Sequence, residues 1–493
     1  MPSSESKQCG KLRSSLKAMI TTDKEGEGME MERLEGAIIS QVTADKQEVS
    51  NECLHPRFKP LILFAMNVLL LGSGGREHAI AWKLSQSSML RKLHIAPGNG
   101  GMESLGETAD LDPMDFAAVE RYVRRHEIGL LVVGAEAPLV AGIADYFEAS
   151  TKTNVMVVGP KKEGAMLEGS KEFAKAFMQR HNIPTARYAS FDHTQLDEAI
   201  AALDEFQPPY VLKADGLAAG KGVIITSSKE EAVKTLEEML SGKAFSDAGR
   251  KVVIEEFLEG KELSMFAVTD GASYHLLPSA KDYKRIGEGD TGPNTGGMGA
   301  ISPVPFLSEE FQQKALNQVI IPTIKGLGKD GIPYKGVIFF GLIKVGSDPY
   351  VIEYNCRLGA PETEVVLPRL KSDLLHLFES LCSGLLSEYD LVTDERAATT
   401  VILASEGYPG SYEKGREIKG LDDVADIDGM VFHAGTKSSR RKIITNGGRV
   451  VALTGRGNDI EEALKNSYKL AEKVTFEGAY HRKDIGADVL DLA

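Results

Sequence analysis

Cysteine is scarce in this sequence. Cys9, Cys53, Cys356 and Cys382 are the four in 493 residues, scattered and without metal-site spacing. That argues against a disulfide framework and suits a reducing compartment, so a cytoplasmic location is expected. Long apolar runs are absent as well. The stretch Leu61 to Leu71 is shorter than a bilayer span, is interrupted by Asn67, and lies too deep in the chain for a signal-peptide core. Basic residues are not in excess either. A formal net charge of −14 argues against a nucleic-acid or anionic-membrane surface. Any anionic ligand must therefore be held by local lysines, arginines and backbone amides. No Ser/His/Asp nucleophile arrangement, internal repeat or low-complexity block is visible, and His78, His94 and His433 lack metal-ligand spacing.

What remains is an ordinary soluble composition, 42 % hydrophobic and 26 % charged, long enough for several domains. Residues 1–65 differ from the rest: Ser/Lys-rich, then acidic from Asp23 to Glu35, with weak periodicity. They read as a mostly disordered extension. Their acids speak against a transit peptide, although the first twenty residues alone would pass; Met66 as the true start is the other reading.

From Asn67 the pattern becomes regular. Asn67 to Leu71, then Gly72-Ser73-Gly74-Gly75-Arg76, predicts a buried strand, a glycine turn and a helix carrying Ile80, Ala81 and Leu84. The turn matches G-x-G but not G-x-G-x-x-G, so its helix N-terminus suits a single phosphate as well as a dinucleotide. Further strands at 93–96, 129–134 and 155–159 complete a doubly wound parallel sheet whose loops gather at the carboxyl edge.

The central stretch is Lys213-Ala214-Asp215-Gly216-Leu217-Ala218-Ala219-Gly220-Lys221-Gly222, between the strand-like runs Tyr210 to Leu212 and Val223 to Ile225. Glycines free backbone N–H groups to face an anion and lysines add point charges. The spacing is one residue short of a Walker A loop, and Gly222 stands where Ser or Thr is required. The bland alternative is a flexible hairpin that touches nothing. A helix is expected from Gly169-Ser170-Lys171, and the α+β lobe of about 190–265 reads as a lid.

Three further groups carry candidate chemistry. Glu353 and Asn355, two apart on a strand, face one side and suit Mg²⁺, or simply a solvated sheet edge. The run Cys356-Arg357 to Thr363 behind them is a costly structural loop, which favours function. Glu255-Glu256-Phe257-Leu258 with Glu262 offers a strand end and apolar contact to a nucleobase and its ribose, or a solvated acidic end. A long loop is expected from Gly287 to Met298, and the stretch Asp290 to Gly299 presents Asn294, Thr295, Gly296 and Gly297, with Asp282, Lys284 and Arg285 just upstream. It suits a small zwitterion or sugar, or is an exposed linker.

Taken in order, GSGGREHA (72–79), APGNGG (96–101), EAPLV (136–140), LEGSK (167–171), KADGLAAGKGV (213–223), EEFLEGKE (255–262), KDYKR (281–285), DTGPNTGGMGA (290–300), VIEYNCR (351–357), FHAGT (432–436) and TNGGRV (445–450) resemble the ATP-grasp superfamily, and within it the phosphoribosylamine–glycine ligase family. The match covers about 66–490. The resemblance implies an α/β and α+β multidomain fold: an N-terminal doubly wound parallel sheet (66–166), a central two-lobed ATP-grasp fold (167–388) and a small C-terminal α+β domain (389–493).

It also implies ligation of glycine to 5-phosphoribosylamine through a glycyl phosphate, in a protein expected to be a monomer. ATP would meet Lys171, Lys213, Gly216, Gly220, Lys221, Gly222, Glu255, Glu256, Phe257, Leu258 and Glu262. Mg²⁺ (or Mn²⁺) would sit on Glu353 and Asn355. The other substrates would meet Gly72, Gly74, Gly75, Arg76, Glu136, Asp282, Lys284, Arg285, Asn294, Thr295, Gly296, Gly297 and Arg357, with Lys213 and Arg357 catalytic. One departure matters: Ala360 stands where the family usually has Asp in Gly-Asp-Pro-Glu-Thr. Lys281, Tyr283 and Ala135 are milder changes. Rival readings are another ATP-grasp carboxylate–amine ligase of nucleotide metabolism, or a homologue impaired at Ala360; a dinucleotide oxidoreductase has only the Gly72–Gly75 turn in its favour.

Overall fold

The computed structural model describes residues 65–217, 222–241 and 250–490. The expectations for residues 1–64 and for Gly220 and Lys221 lie outside these. The first strand, β1 (Met66–Gly72), is buried on both faces, with Val68 to Leu71 fully inaccessible. That explains its uninterrupted apolar run. It is central in an all-parallel sheet of order β3-β2-β1-β4-β5, with β2 (Leu90–Pro97), β3 (Glu107–Thr108), β4 (Ile128–Val133) and β5 (Met156–Val158). The chain changes sides at β1, which opens a crevice outside the carboxyl ends of β1 and β4. The helix Gly75–Leu84 starts there, its entry fixed by Gly74 N donating to Glu77 Oε2 at 2.6 Å.

A four-stranded antiparallel sheet, order β6-β9-β7-β8, follows: β6 (Tyr188–Asp192), β7 (Tyr210–Ala214), β8 (Val223–Thr226) and β9 (Lys251–Glu255). The helices Leu196–Ala202 and Lys229–Leu240 cover one face, burying Leu203, Leu212, Leu236, Val252 and Ile254 in a core of their own. A lobe with its own core can move as a body.

The remaining strands build one nine-stranded sheet of order β16-β15-β10-β11-β14-β17-β21-β18, with β22 on β17. They are β10 (Lys261–Thr269), β11 (Tyr274–Asp282), β14 (Gly299–Ser302), β15 (Gly336–Val345), β16 (Asp348–Asn355), β17 (Ala397–Ser405), β18 (Gly429–His433), β21 (Arg449–Gly457) and β22 (Ala479–Tyr480). Two hairpins, β12–β13 (Arg285–Gly287, Thr291–Asn294) and β19–β20 (Thr436–Ser439, Lys442–Thr445), stand apart. The first replaces the long loop expected after Gly287, because Gly289 and Asp290 take positive φ and close a turn. The C-terminal strands do not form a sheet of their own: β14 pairs with β17 from Gly299↔Val401 to Ser302↔Ala398. All nine residues of β17 are buried, as an inner strand requires. The helix Ile460–Lys473, capped by Asp459, covers β17 and β21, where Ser467 Oγ donates to the Thr399 carbonyl at 2.9 Å.

Candidate active site

All these parts meet around a cleft of about 500 Å³. On the lid side, Lys213, next to last in β7, reaches the central sheet, donating to the Ile352 carbonyl at 3.2 Å, one residue before Glu353. Its Nζ also lies 2.9 Å from Glu255 Oε1, while Lys175 Nζ lies 2.9 Å from Glu255 Oε2. All three side chains are buried. Burial acts to raise the Glu255 carboxyl, but Lys213 and Lys175 hold it below its ordinary value; burial pulls Lys175 itself down to about 8.

The base of the glycine flap is anchored too. Lys171 Nζ donates to the carbonyls of Ala214 (2.8 Å) and Gly216 (3.1 Å), and Gly216 has φ +105°, which favours glycine. Ser170 caps the helix Lys171–Arg180 and lies 3.1 Å from the Asp215 carboxylate.

Opposite the lid, Glu353 and Asn355 project from the end of β16 into the cleft, while Tyr354 between them turns inward to Thr323. No side-chain hydrogen bond or ion pair occupies Glu353 or Asn355 among the described residues. A carboxylate and an amide oxygen left open in this way fit a hard divalent cation. Beside them, burial opposes the charge on Lys284, but Asp282 (3.2 Å), Glu262 (2.6 Å) and the field of Glu353 raise it well above its usual value.

A second network crosses from the parallel sheet. Arg357 pairs with Glu168 at 2.7 Å and with Glu136 at 3.3 Å, and Arg76 reaches Glu136 at 3.5 Å. Burial would raise Glu136, yet Arg357 and Arg76 hold it at about 2. On the far wall Arg449 donates to the carbonyls of Gly296 and Ala360, the latter at 2.9 Å, and Gly296 N donates to Tyr408 Oη at 3.0 Å. Glu362 and Glu364, both buried here, are raised by burial to about 7 and about 8. Ala360 contributes only its carbonyl and a methyl group.

Of the residues read from the sequence, Gly74, Gly75, Arg76, Glu136, Lys171, Lys213, Gly216, Gly222, Glu255, Asp282, Lys284, Thr295, Gly296, Glu353, Asn355 and Arg357 line this one cleft. Gly72, Glu256, Phe257, Leu258, Glu262, Arg285, Asn294 and Gly297 are not part of its wall. Glu256 takes the Arg187 N–H at 2.8 Å, Phe257 is 43 % exposed, and Arg285 closes its own hairpin on the Gly292 carbonyl. Glu255 turns inward to two lysines, since a strand-end carboxylate with two buried ammonium neighbours is held by them. Glu168, Lys175, Glu362, Glu364, Tyr408 and Arg449 also line the cleft and were not singled out. Lys175 had a usable signal, one turn beyond Lys171 on the same helix face. Away from the cleft, His94, Glu107 and His126 bring ligand-type atoms within 4.8 Å of one another. Their partners are in the protein: Lys92 pairs with Glu107, and Tyr122 meets His94 at 2.9 Å.

Three models of phosphoribosylglycinamide synthetase match in chain order: the N domain at 66–168, the ATP-grasp (A) domain at 169–363 and the C domain at 398–488. A phosphoribosylamine–glycine ligase of Yersinia pestis is 45 % identical over 425 residues, 85 % of this chain and 98 % of that protein. One from Halalkalibacterium halodurans is 46 % identical, covering 86 % and 97 %. The crystal structure of the Thermotoga maritima phosphoribosylamine–glycine ligase superposes with a TM-score of 0.73 at 37 % identity, covering 85 % of this chain and 99 % of that one. An ADP complex of N5-carboxyaminoimidazole ribonucleotide synthetase shares the fold at a TM-score of 0.60 and 16 % identity.

Proposed function

The chain belongs to the phosphoribosylglycinamide synthetase family and is an ATP-dependent ligase that joins glycine to 5-phosphoribosylamine in purine biosynthesis; we propose how its residues divide that work. One observation carries the assignment of the cleft. Lys213, at the root of the flap, touches the strand end that presents Glu353 and Asn355, so one triphosphate can meet both.

A carboxylate is a poor electrophile, because its charge repels nucleophiles and its oxide leaves badly. A glycine carboxylate oxygen attacks the γ-phosphorus of ATP, and the bond to the β-phosphate oxygen breaks with release of ADP. The amine nitrogen of 5-phosphoribosylamine then attacks the acyl carbon. A C–N bond forms, phosphate leaves, and the nitrogen gives up a proton. No protein nucleophile is needed, so the residues act by positioning and by offsetting charge.

Lys213 and Lys171 hold the phosphate side beneath the flap, with Glu255 and Lys175 fixing Lys213. Arg357, locked by Glu136 and Glu168, faces the transferring group and the glycine carboxylate. The Ser73–Gly75 turn and Arg76 take the 5-phosphate at a helix N-terminus. Thr295, Gly296, Asp282 and Lys284 close the glycine side. Glu353 and Asn355 would hold the Mg²⁺ (or Mn²⁺) that comes with the nucleotide, and that ion would supply charge to offset the phosphates. Closure of the 188–255 lobe keeps water from the acyl phosphate. A cytoplasmic monomer is the accompanying expectation.

The test is ADP release measured with each substrate omitted in turn. Release that requires both glycine and 5-phosphoribosylamine, and that collapses in Lys213→Ala, supports the reading. Equal release with another acid in place of glycine overturns it.

A further inference from the structure

The division of labour just given leaves Glu364, a buried carboxyl on the wall of the cleft, without a role. Glu364 is 2 % exposed and stands on the short helix Thr363–Val366, pinned by Thr454 Oγ1 donating to its carbonyl at 3.1 Å. Its Oε2 is cut off from solvent and has no hydrogen-bond partner among the described residues. Its Oε1 lies against the first residue of the helix Gly75–Leu84, where a Cβ on Gly75 would come within 2.4 Å of it. Arg449 and Arg76 are the cations in its field and Glu362 the nearby anion; burial outweighs the arginines and leaves the carboxyl raised to about 8.

Buried polar atoms are normally satisfied, and a carboxyl without a side-chain partner on the wall of a substrate cleft calls for a ligand donor. The position narrows which donor. Glu364 adjoins the turn assigned above to the 5-phosphate, whose oxygens the backbone N–H groups of that turn and Arg76 already serve. The amine of the same substrate must face the acyl phosphate, on the Arg357 side. The hydroxyls of the sugar ring lie between those two ends.

We propose that Glu364 accepts a hydrogen bond from a ring hydroxyl of 5-phosphoribosylamine and so fixes the sugar between the phosphate turn and the acyl phosphate. This rests on the functional reading above. Glu364 is thus a substrate-recognition residue with no part in phosphoryl transfer.

Steady-state kinetics of Glu364→Ala test it. The KM for 5-phosphoribosylamine should rise about 10- to 100-fold, the cost of a lost hydrogen bond to a buried carboxyl, with the KM values for ATP and glycine within about two-fold of wild type. Glu364→Gln, which keeps an acceptor and a donor, should recover most of the loss. Calorimetry with glycinamide ribonucleotide and its ring-deoxy analogue supplies the second arm: wild type should discriminate between them and Glu364→Ala should not. If the alanine variant does not fold, Glu364→Asp, which withdraws the carboxyl by one methylene, must show the same selective loss. An unchanged KM for 5-phosphoribosylamine, a uniform rise in all three KM values, or undiminished discrimination in the variant overturns the proposal. Failure of wild type to bind glycinamide ribonucleotide at all would instead sink the functional reading, and this inference with it.

Discussion

Lys175 and Lys213 grip opposite oxygens of one buried carboxylate, each at 2.9 Å from Glu255. One lysine comes from a helix of the central unit and the other from the lid sheet, so the carboxylate couples the flap root to the cleft floor. Removing it strands two buried ammonium groups. Glu255→Ala should cost about 3–5 kcal/mol in denaturant unfolding, the range for breaking a buried pair from one side. It should also raise the KM for ATP. A midpoint within experimental error of wild type would show that the lysines relax freely.

Arg357 tests a different kind of fit. Its guanidinium spans Glu168 and Glu136 from two nitrogens, Nη2 at 2.7 Å and Nε at 3.3 Å. A lysine offers a point charge that cannot reach both. Arg357→Lys should therefore lower kcat/KM at least about 100-fold, the scale of one lost preorganised donor. The fold should remain, as read by circular dichroism; a variant with near-wild-type turnover would remove Arg357 from the machinery.

Among the described residues, no side-chain hydrogen bond or ion pair occupies Glu353 or Asn355, which predicts a metal-dependent phenotype. Glu353→Gln keeps the shape and removes the charge. The Mg²⁺ concentration for half-maximal activity should rise by at least about ten-fold, since even outer-shell losses cost metal sites 10–100-fold. Titration of activity with Mg²⁺ at saturating ATP reads this directly, and an unchanged midpoint would place the ion elsewhere.

The buried histidine pair sets an acid limit to stability. His433 N donates to His78 Nδ1 at 2.8 Å, joining the first helix to β18. Burial, aided for His78 by the neighbouring His433, lowers the rings to about 3 and about 4. The unfolded chain, titrating near 6.5, binds these protons first. Their contribution is thus complete above pH 6.5 and fades as pH falls toward 4. His433→Leu should flatten the decline of Tm between pH 6.5 and 4.5, leaving the His78 contact to the backbone intact. Parallel Tm curves for the two proteins would contradict it.

The elements with a local signature were legible in the sequence. The strand–glycine turn–helix at 67–84, the helix start at Gly169-Ser170-Lys171, and the alternation that puts Glu353 and Asn355 on one face all depend on residues a few positions apart. What stayed hidden depends on distant pairing. Nothing near Gly299 announces that its strand will meet Val401, and nothing near Arg449 announces that it will bind the Ala360 carbonyl. Glu168 was visible within LEGSK, but its role needs Arg357 and Cys356 N, the latter donating to it at 2.9 Å. The Glu255 run looked like a ligand edge because its two lysines come from elsewhere in the fold. Long-range charge satisfaction, not periodicity, decided those positions.

The junction of β14 with β17 also bears on how the protein can be cut. A fragment ending at residue 388 would keep every strand of the lid and of the phosphate side, yet lose the neighbour that seals Gly299 to Ser302. Its raw border would invite pairing with other copies, so such a fragment should precipitate, and its counterpart from 389 onward, supplied in trans, should rescue it by docking as the missing half of a shared ribbon.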